Sequence, residues 1–386
     1  MSIDFAQAPS APPSFATAKT RRTKARAAGM NPNYWYACEQ TKNLRRGQVK
    51  EIVFWKRSIA LFRAEDGRLH AIENRCAHRQ LKLSTGKVAG CNLVCPYHGW
   101  AHDGHGQVVN IPHETFGVKN PRFKVQEIPV TERYGLVFIF PGDAELADRV
   151  PVPLLPQLEG PKPWLAAPPM DYTWKAHHSM ILDNVSDYQH GYLHRDLEPF
   201  RNPRLRFFEA KGDRVHLSYE TDVGGGKLLT MFVPRDELTN GDIELCYEYP
   251  YHWSNSGDVI RHFMFTLPID ERTTRFFFIL YYKKLRIPGT HRAVPRGLMK
   301  YLLAIGNRTI VDHVFLQDKF ALEAEQHAYD TQWDGPNAEL NPVIGAFQDL
   351  TVRKWEEYLA SQELKRIRKK DEVVAAPIAR SNAVAE

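Results

Sequence analysis

Cys76-Ala-His78-Arg79 and Cys95-Pro-Tyr-His98-Gly-Trp100 put two thiolates and two imidazoles into one stretch rich in glycine and aromatic residues, with 16 residues between His78 and Cys95. Two metal chemistries use that set. A [2Fe–2S] centre can take two Cys on one iron and two His on the other, neutral imidazole raising the reduction potential. A structural zinc takes all four on one tetrahedral ion, but its loops usually read C-x-x-C with H-x3-5-H. Cys-x-His followed by Cys-x-x-His instead gives each iron of a binuclear centre one ligand from each of two hairpin loops. The stretch therefore reads as the heart of a small β domain.

Working outward, residues 34–140 carry short apolar or alternating runs at 49–55, 59–63 and 136–140, broken by Gly and Asn turns, as short strands do. A β domain over 30–150 follows. Pro151-Val-Pro-Leu-Leu-Pro156, with Pro161 and Pro163 behind it, cannot enter a helix or sheet interior, so 151–164 reads as an extended connector. Longer strand candidates lie at 214–221, 228–233, 243–249, 260–268 and 274–285, most of them rich in β-branched or aromatic residues. Helical stretches fall at 180–194, 298–329 and 346–370. Strands grouped together with helices at the ends predict an α+β domain over 165–364, an antiparallel sheet curled around a helix. Residues 1–29, rich in Ala, Ser, Pro and Arg, read as a disordered leader, with an organelle transit peptide the alternative. The basic stretch 365–386 reads as a disordered tail.

The 386 residues allow two domains with their own cores, and a 43% hydrophobic fraction fits a globular chain. No apolar run reaches the roughly 18 residues that a membrane span needs. The net charge of +6 gathers near the ends, at Arg21, Arg22, Lys24 and Arg26 and again at Lys365, Arg366, Arg368, Lys369 and Lys370. Such runs are solvated segments and no sign of a nucleic-acid surface. Cys38, Cys91 and Cys246 are too few and too scattered for a disulfide framework, which points to a reducing compartment such as the cytoplasm. Cys91 is expected to be a spare buried thiol.

Asp183-Asn184-Val-Ser-Asp187-Tyr-Gln-His190-Gly-Tyr-Leu-His194 is the other informative string. On a helix Asp187, His190 and His194 share a face, and two imidazoles one turn apart can converge on one metal. A carboxylate from elsewhere would complete a 2-His-1-carboxylate triad, which leaves open positions on a non-haem Fe(II). With 16 His in the chain, a helical pair taken alone is more often surface or core. A zinc protease would carry Glu directly after the first His, where this chain has Gly191. Asp318 and Asp312 are the rival carboxylates, against the alternative that Asp318, Glu323 and Glu325 form the polar face of a helix.

Together these segments resemble the Rieske-type ring-hydroxylating oxygenases. The opening stretch, with Gly86, Asp103 and Gly104, is similar to the family's cluster domain. Leu81 and Tyr97 stand where respiratory-chain Rieske proteins carry two extra Cys, which favours the oxygenase type. Asn184, Asp187, His190 and His194 match the mononuclear-iron motif residue by residue. The segment 315–326 is similar to a late helix of demethylase-like members whose Asp binds iron, making Asp318 the third ligand.

The resemblance implies an α+β chain, with an N-terminal all-β Rieske [2Fe–2S] domain and a C-terminal helix-grip (START-like) antiparallel-sheet domain. It implies a terminal oxygenase (alpha subunit) in which Cys76, His78, Cys95 and His98 hold the cluster and His190, His194 and Asp318 hold mononuclear Fe(II). Asn184 and Asp187 would act beside them, Asp187 bridging to His78 or His98 of a neighbouring copy in a head-to-tail homotrimer. Trp100 and Tyr97 would cover the cluster, with Arg79 near it. O2 is the co-substrate. Electrons would come ultimately from NAD(P)H through a ferredoxin and/or flavin reductase, since the chain carries no flavin or nicotinamide fingerprint. The expected reaction is hydroxylation or oxidative demethylation of a hydrophobic aromatic, polycyclic or steroid-like molecule. Angular or cis-dihydroxylation is the alternative, and a non-enzymatic Rieske carrier fused to a ligand-binding module is the alternative from another class.

Overall fold

Short apolar runs pair locally in the N-terminal half of the computed structural model, which describes residues 11–112, 122–194, 200–223, 243–284, 287, 290 and 292–375. After a helix α1 (Arg21–Ala27) come β1 (Tyr36–Gln40), β2 (Gln48–Phe54), β3 (Arg57–Arg63), β4 (Leu69–Glu73), β5 (Lys87–Ala89), β6 (Asn92–Val94), β7 (Ala101–His102), β8 (Val108–Asn110), β9 (Val130–Arg133) and β10 (Leu136–Ile139). They form three small antiparallel sheets, ordered β2-β3-β4, β5-β6-β7-β8 and β1-β10-β9.

The C-terminal half holds β11 (Leu165–Ala166), β12 (Met170–Trp174), helix α2 (His178–Ser186), β13 (Phe200–Lys211), β14 (Arg214–Val223), β15 (Ile243–Glu248), β16 (Tyr251–Ser256), β17 (Ile260–Pro268) and β18 (Thr274–Tyr282). Helices α3 (Arg296–Gly306), α4 (Asp312–Gln332) and α5 (Pro342–Ala375) follow, α3 and α4 being joined by a π-helical turn at Asn307–Val311. One antiparallel sheet runs β11-β18-β17-β16-β15-β14-β13, with β12 also paired to β18. Its central strands are buried on both faces, so they are nearly continuous apolar runs, but the period of two still sorts them. On β18, Phe276 and Phe278 face the core shared with α2 and α5, while Phe277, Ile279 and Tyr281 pack with Trp35, Phe138 and Phe140 of the N-terminal half. Burying each such ring stabilises the fold by roughly 1.5–3 kcal/mol.

The two halves are built into one another. The β2–β3 hairpin turns on Trp55 and Lys56, both at positive φ (44° and 66°), the geometry of a tight two-residue turn that usually takes Asn-Gly. Tertiary contacts hold it: Trp55 N–H and Lys56 N–H donate to the carbonyls of Pro268 (2.8 Å) and Ile269 (2.7 Å) at the β17–β18 hairpin. The Trp55 ring meets Trp355 on α5 and the buried His177 and His178. Arg275 of β18 ties the same seam, bonding Asp171 (2.6 Å), Glu39 (3.3 Å) and the Cys38 carbonyl (2.8 Å).

Four expectations change. Within the expected leader, residues 11–29 are ordered: α1 is closed by a Thr20–Thr23 capping box, and Gly29 lies where a Cβ would sit 2.8 Å from both Trp55 and Trp355. Arg26, 4% exposed, supplies the energetic reason, reaching Asp183 of α2 (2.8 Å), Glu325 of α4 (3.0 Å) and Ser179 (2.7 Å). The expected tail is helical as far as Ala375, because α5 continues through it. The connector 151–164 is extended only as far as Leu155, which is fully buried against the sheet, and then closes into a 3-10 turn at Pro156–Leu158. Cys91 is exposed, held by Asp66 and Arg68 at the end of a surface hairpin. The strand expected at 228–233 lies outside the described residues. β13 went unpredicted because Pro203 and its arginines speak against a strand interior, and it is an edge strand, where Pro is tolerated.

Candidate metal centres and substrate cavity

The two Cys/His loops are copies of one turn. Cys76 N–H donates to the Leu81 carbonyl (2.8 Å) and Cys95 N–H to the Trp100 carbonyl (2.9 Å). Four residues past each Cys the chain takes positive φ, at Gln80 (61°) and Gly99 (71°), and the N–H there returns to the Cys carbonyl at 2.9 and 3.1 Å. Gly99 is needed for space as well, since a Cβ would lie 2.7 Å from Pro112.

Both thiols are buried, while the imidazoles reach the surface: His78 is exposed and His98 half-buried. Their ring centroids lie 4.6 Å apart, with Trp100 stacked on His78 at 4.7 Å and Tyr97 on His98 at 3.8 Å. Trp100 is buried and covers the pair, whereas Tyr97 is 56% exposed and Arg79 is exposed too. Burial pushes the Cys76 thiol up to about 11; the backbone N–H groups of His78 and Arg79 favour its thiolate, and the adjacent Cys95 thiol opposes it. Thiol thus sits by thiol and imidazole by imidazole. Two irons, with Cys on one and His on the other, would fit that pairing.

The second string departs from a continuous helix. α2 ends at Ser186, and Asp187 is its C-cap (φ −81°, ψ 103°), after which His190–His194 form a 3-10 turn. Breaking the helix releases the Asp187 carbonyl from its i→i+4 bond, and His190 Nδ1 donates to it. His194 Nδ1 bonds Gln317 Oε1 at 2.7 Å. With the Nδ1 atoms engaged, the Nε2 atoms face Asp318 Oδ1 at 3.8 Å (His190) and 3.4 Å (His194). Such partners fix the tautomer and aim the lone pair that a metal needs. Asp318, 4% exposed, receives the Asn184 amide at 3.2 Å. A buried carboxylate facing two imidazole nitrogens is the donor set of a facial triad.

The remaining predicted residues separate. The Asp187 carboxylate accepts from Gln189 N–H (2.9 Å) and the Asn341 amide (3.0 Å); its carbonyl, not its carboxylate, holds His190. Asp312 accepts the Tyr172 hydroxyl. Glu323 caps Lys175 N–H, and Glu325 belongs to the Arg26 cluster. Gln317 and Asn341 escaped sequence reading. Adjacency to Asp318 was the signal available for Gln317, and nothing local marks Asn341.

The triad and Asn184 line a cavity of about 580 Å³. Its other walls are largely apolar: Leu245, Met264, Phe276, Phe278 and Leu280 from the sheet, and Ile310, Val311, Val314 and Phe315 from the π turn and α4. His262 of β17 and Asn202 of β13 are polar exceptions on the sheet wall, His262 the more buried of the two. His262 bonds Ser254 (2.6 Å) and His252 (3.2 Å), and burial lowers it to about 3, so it stays neutral.

Residues 34–127 match the family described as the Rieske [2Fe–2S] domain, and residues 174–362 match the vanillate O-demethylase oxygenase C-terminal domain. The chain is 43% identical over 345 residues to the 4beta-methylsterol monooxygenase of Methylococcus capsulatus, covering 89% of this chain and 93% of that one. It is 36% identical over 121 residues to the oxygenase component of dicamba O-demethylase of Stenotrophomonas maltophilia, covering 31% and 35%. A crystal structure of dicamba monooxygenase bound to dicamba superposes with a TM-score of 0.68 at 20% identity, over 88% of this chain and all of that one, a likeness of fold.

Proposed function

The chain belongs to the Rieske-type non-haem iron oxygenases, and from that premise we propose that it hydroxylates or oxidatively demethylates a steroid-like polycyclic substrate. As an oxygenase it works with a Rieske [2Fe–2S] cluster, a mononuclear iron, O2 and electrons from a partner protein. The observation that carries the substrate reading is the 580 Å³ cavity, apolar on nearly every wall and meeting His190, His194 and Asp318. Its volume suits a drug-sized or sterol-sized apolar ligand, and the similar protein of Methylococcus is named for a methylsterol.

In this reading Cys76, Cys95, His78 and His98 hold the cluster, and His190, His194 and Asp318 hold the iron. When bound, the cluster supplies electrons and the iron activates O2. The Asp187 carbonyl and Gln317 keep the imidazole Nδ1 atoms protonated, Asn184 orients Asp318, and Phe276, Phe278 and Phe315 exclude water while seating the substrate. The protein's share is orientation and a dry site, the hard chemistry belonging to the metals.

We also infer a head-to-tail homotrimer, in which His78 or His98 of one copy reaches Asp187 of the next. Supporting it, apolar side chains are exposed beside each centre: Leu81 and Tyr97 at the cluster, Tyr192, Leu316 and Phe320 at the iron site. The electron donor is a ferredoxin and/or flavin reductase, and the compartment is the cytoplasm. Product analysis after supplying the iron-loaded protein with O2, reductant, and aromatic, steroid and N-methyl compounds tests the function. Hydroxylated or demethylated steroids are expected, and turnover confined to the small aromatics would overturn the steroid reading.

A further inference from the structure

Helix α3 has two apolar faces. Met299 and Leu303, nearly buried, pack with Leu165, Ala167 and Val294 against the sheet. Leu298, Tyr301 and Ile305 recur at helical spacing on another side and are 52%, 72% and 60% exposed. Surface helices of globular proteins keep apolar residues to the core-facing stripe. Three large ones in a row on the solvent side mark a contact surface.

The charges say what kind of surface. From 285 to 311 the sequence holds five Arg or Lys (Arg286, Arg292, Arg296, Lys300 and Arg308) and no Asp or Glu. Arg292, Arg296, Lys300 and Arg308 are exposed. A helix with a wet apolar stripe flanked by cations and lacking anions matches an acidic phospholipid surface, into which the stripe sinks while the cations meet phosphate. Among the described residues no helix is long and apolar enough to cross a membrane, so contact would stop at the interface.

The position gives such contact a use. α3 runs directly into the π turn and α4, whose Ile310, Val311 and Val314 form one wall of the cavity. Ile305 on the outer stripe is thus little more than one turn from Ile310 on the cavity wall. We propose that α3 is an interfacial helix that seats the enzyme on anionic membrane, so that an apolar substrate passes from lipid to the cavity. Lipid binding itself needs no substrate; only its use rests on the apolar-substrate reading.

The holoenzyme is sedimented with vesicles of pure phosphatidylcholine and with vesicles containing phosphatidylglycerol. Binding is expected to the anionic vesicles and to weaken in high salt. Leu298→Glu/Ile305→Glu should abolish it, and Arg296→Gln/Lys300→Gln/Arg308→Gln should weaken it on the order of tenfold or more. Both variants should retain cluster absorption and turnover of detergent-delivered substrate, and lose turnover of vesicle-delivered substrate. Failure of the native protein to bind anionic vesicles would overturn the proposal. So would a glutamate variant that binds normally, or one whose only change is a smaller assembly, which would make the stripe a contact between copies. If vesicles bind but no steroid is turned over, the substrate reading fails and the lipid surface stands.

Discussion

The proposed cluster loops and the proposed iron triad would solve the same problem, holding metal ligands in place, by opposite routes. The four proposed cluster ligands fall within residues 76–98 on two copies of one turn, each closed by its own backbone bonds. The triad joins a 3-10 turn at 190–194 to a helix at 318, and each ligand is held by a partner from elsewhere: the Asp187 carbonyl, Gln317 and Asn184. Geometry carried by local backbone should survive damage elsewhere in the fold. Geometry assembled from distant elements should not.

The strongest way to break that contrast is Asp318→Ala. Turnover should fall well beyond the roughly 10–100-fold that loss of a ligand-orienting partner costs, while the cluster's absorption and paramagnetic signal stay intact; full activity would remove Asp318 from the triad. Cys95→Ser is the mirror experiment. Iron should drop from about three to about one per chain, and an undiminished iron content would mean that the four residues do not share a binuclear centre.

Arg26→Met probes the long-range half of the contrast. Leaving Asp183 buried without its cation should cost about 3–5 kcal/mol, read by denaturant unfolding, and weaken iron retention before cluster retention. Simultaneous loss of both would show that the cluster loops depend on the rest of the fold after all. Asn184→Ala should lower iron affinity by about 10–100-fold in a metal-competition titration, with no change if the Asp318 contact is incidental. Cys91→Ser, at an exposed thiol, should alter stability by no more than about 0.5 kcal/mol and leave cluster content unchanged; cluster loss would assign the thiol a role.

The same contrast governs what could be read from sequence. The cluster loops were legible because ligand spacing is a local property. His190 and His194 were legible as a pair, but the break in α2 at Asp187 was not, since it depends on Asn341 holding that carboxylate from 154 residues away. Spacing alone left Asp318 and Asp312 as rivals, and only the family resemblance chose Asp318; the fold turns Asp312 toward Tyr172. The β18 strand announced itself by its aromatic run, whereas β13 hid behind Pro203 at the sheet edge. Residues 21–27 looked like a solvated leader because the partners of Arg26 lie 157 and 299 residues downstream.

That last segment has a mechanical consequence. The Rieske domain is entered from α1, which is pinned to α2, α4 and α5 by Arg26, Arg21–Asp349 and Lys24–Glu356, and it is left through a connector whose Leu155 is locked under the sheet. A domain anchored at both ends, with a third fastening at Trp55, cannot swing like one on a single hinge. In the proposed trimer, cluster-to-iron transfer between copies would then run over a distance held by the fold and by subunit packing, and that step, unlike the encounter with the electron donor, should be indifferent to the viscosity of the medium.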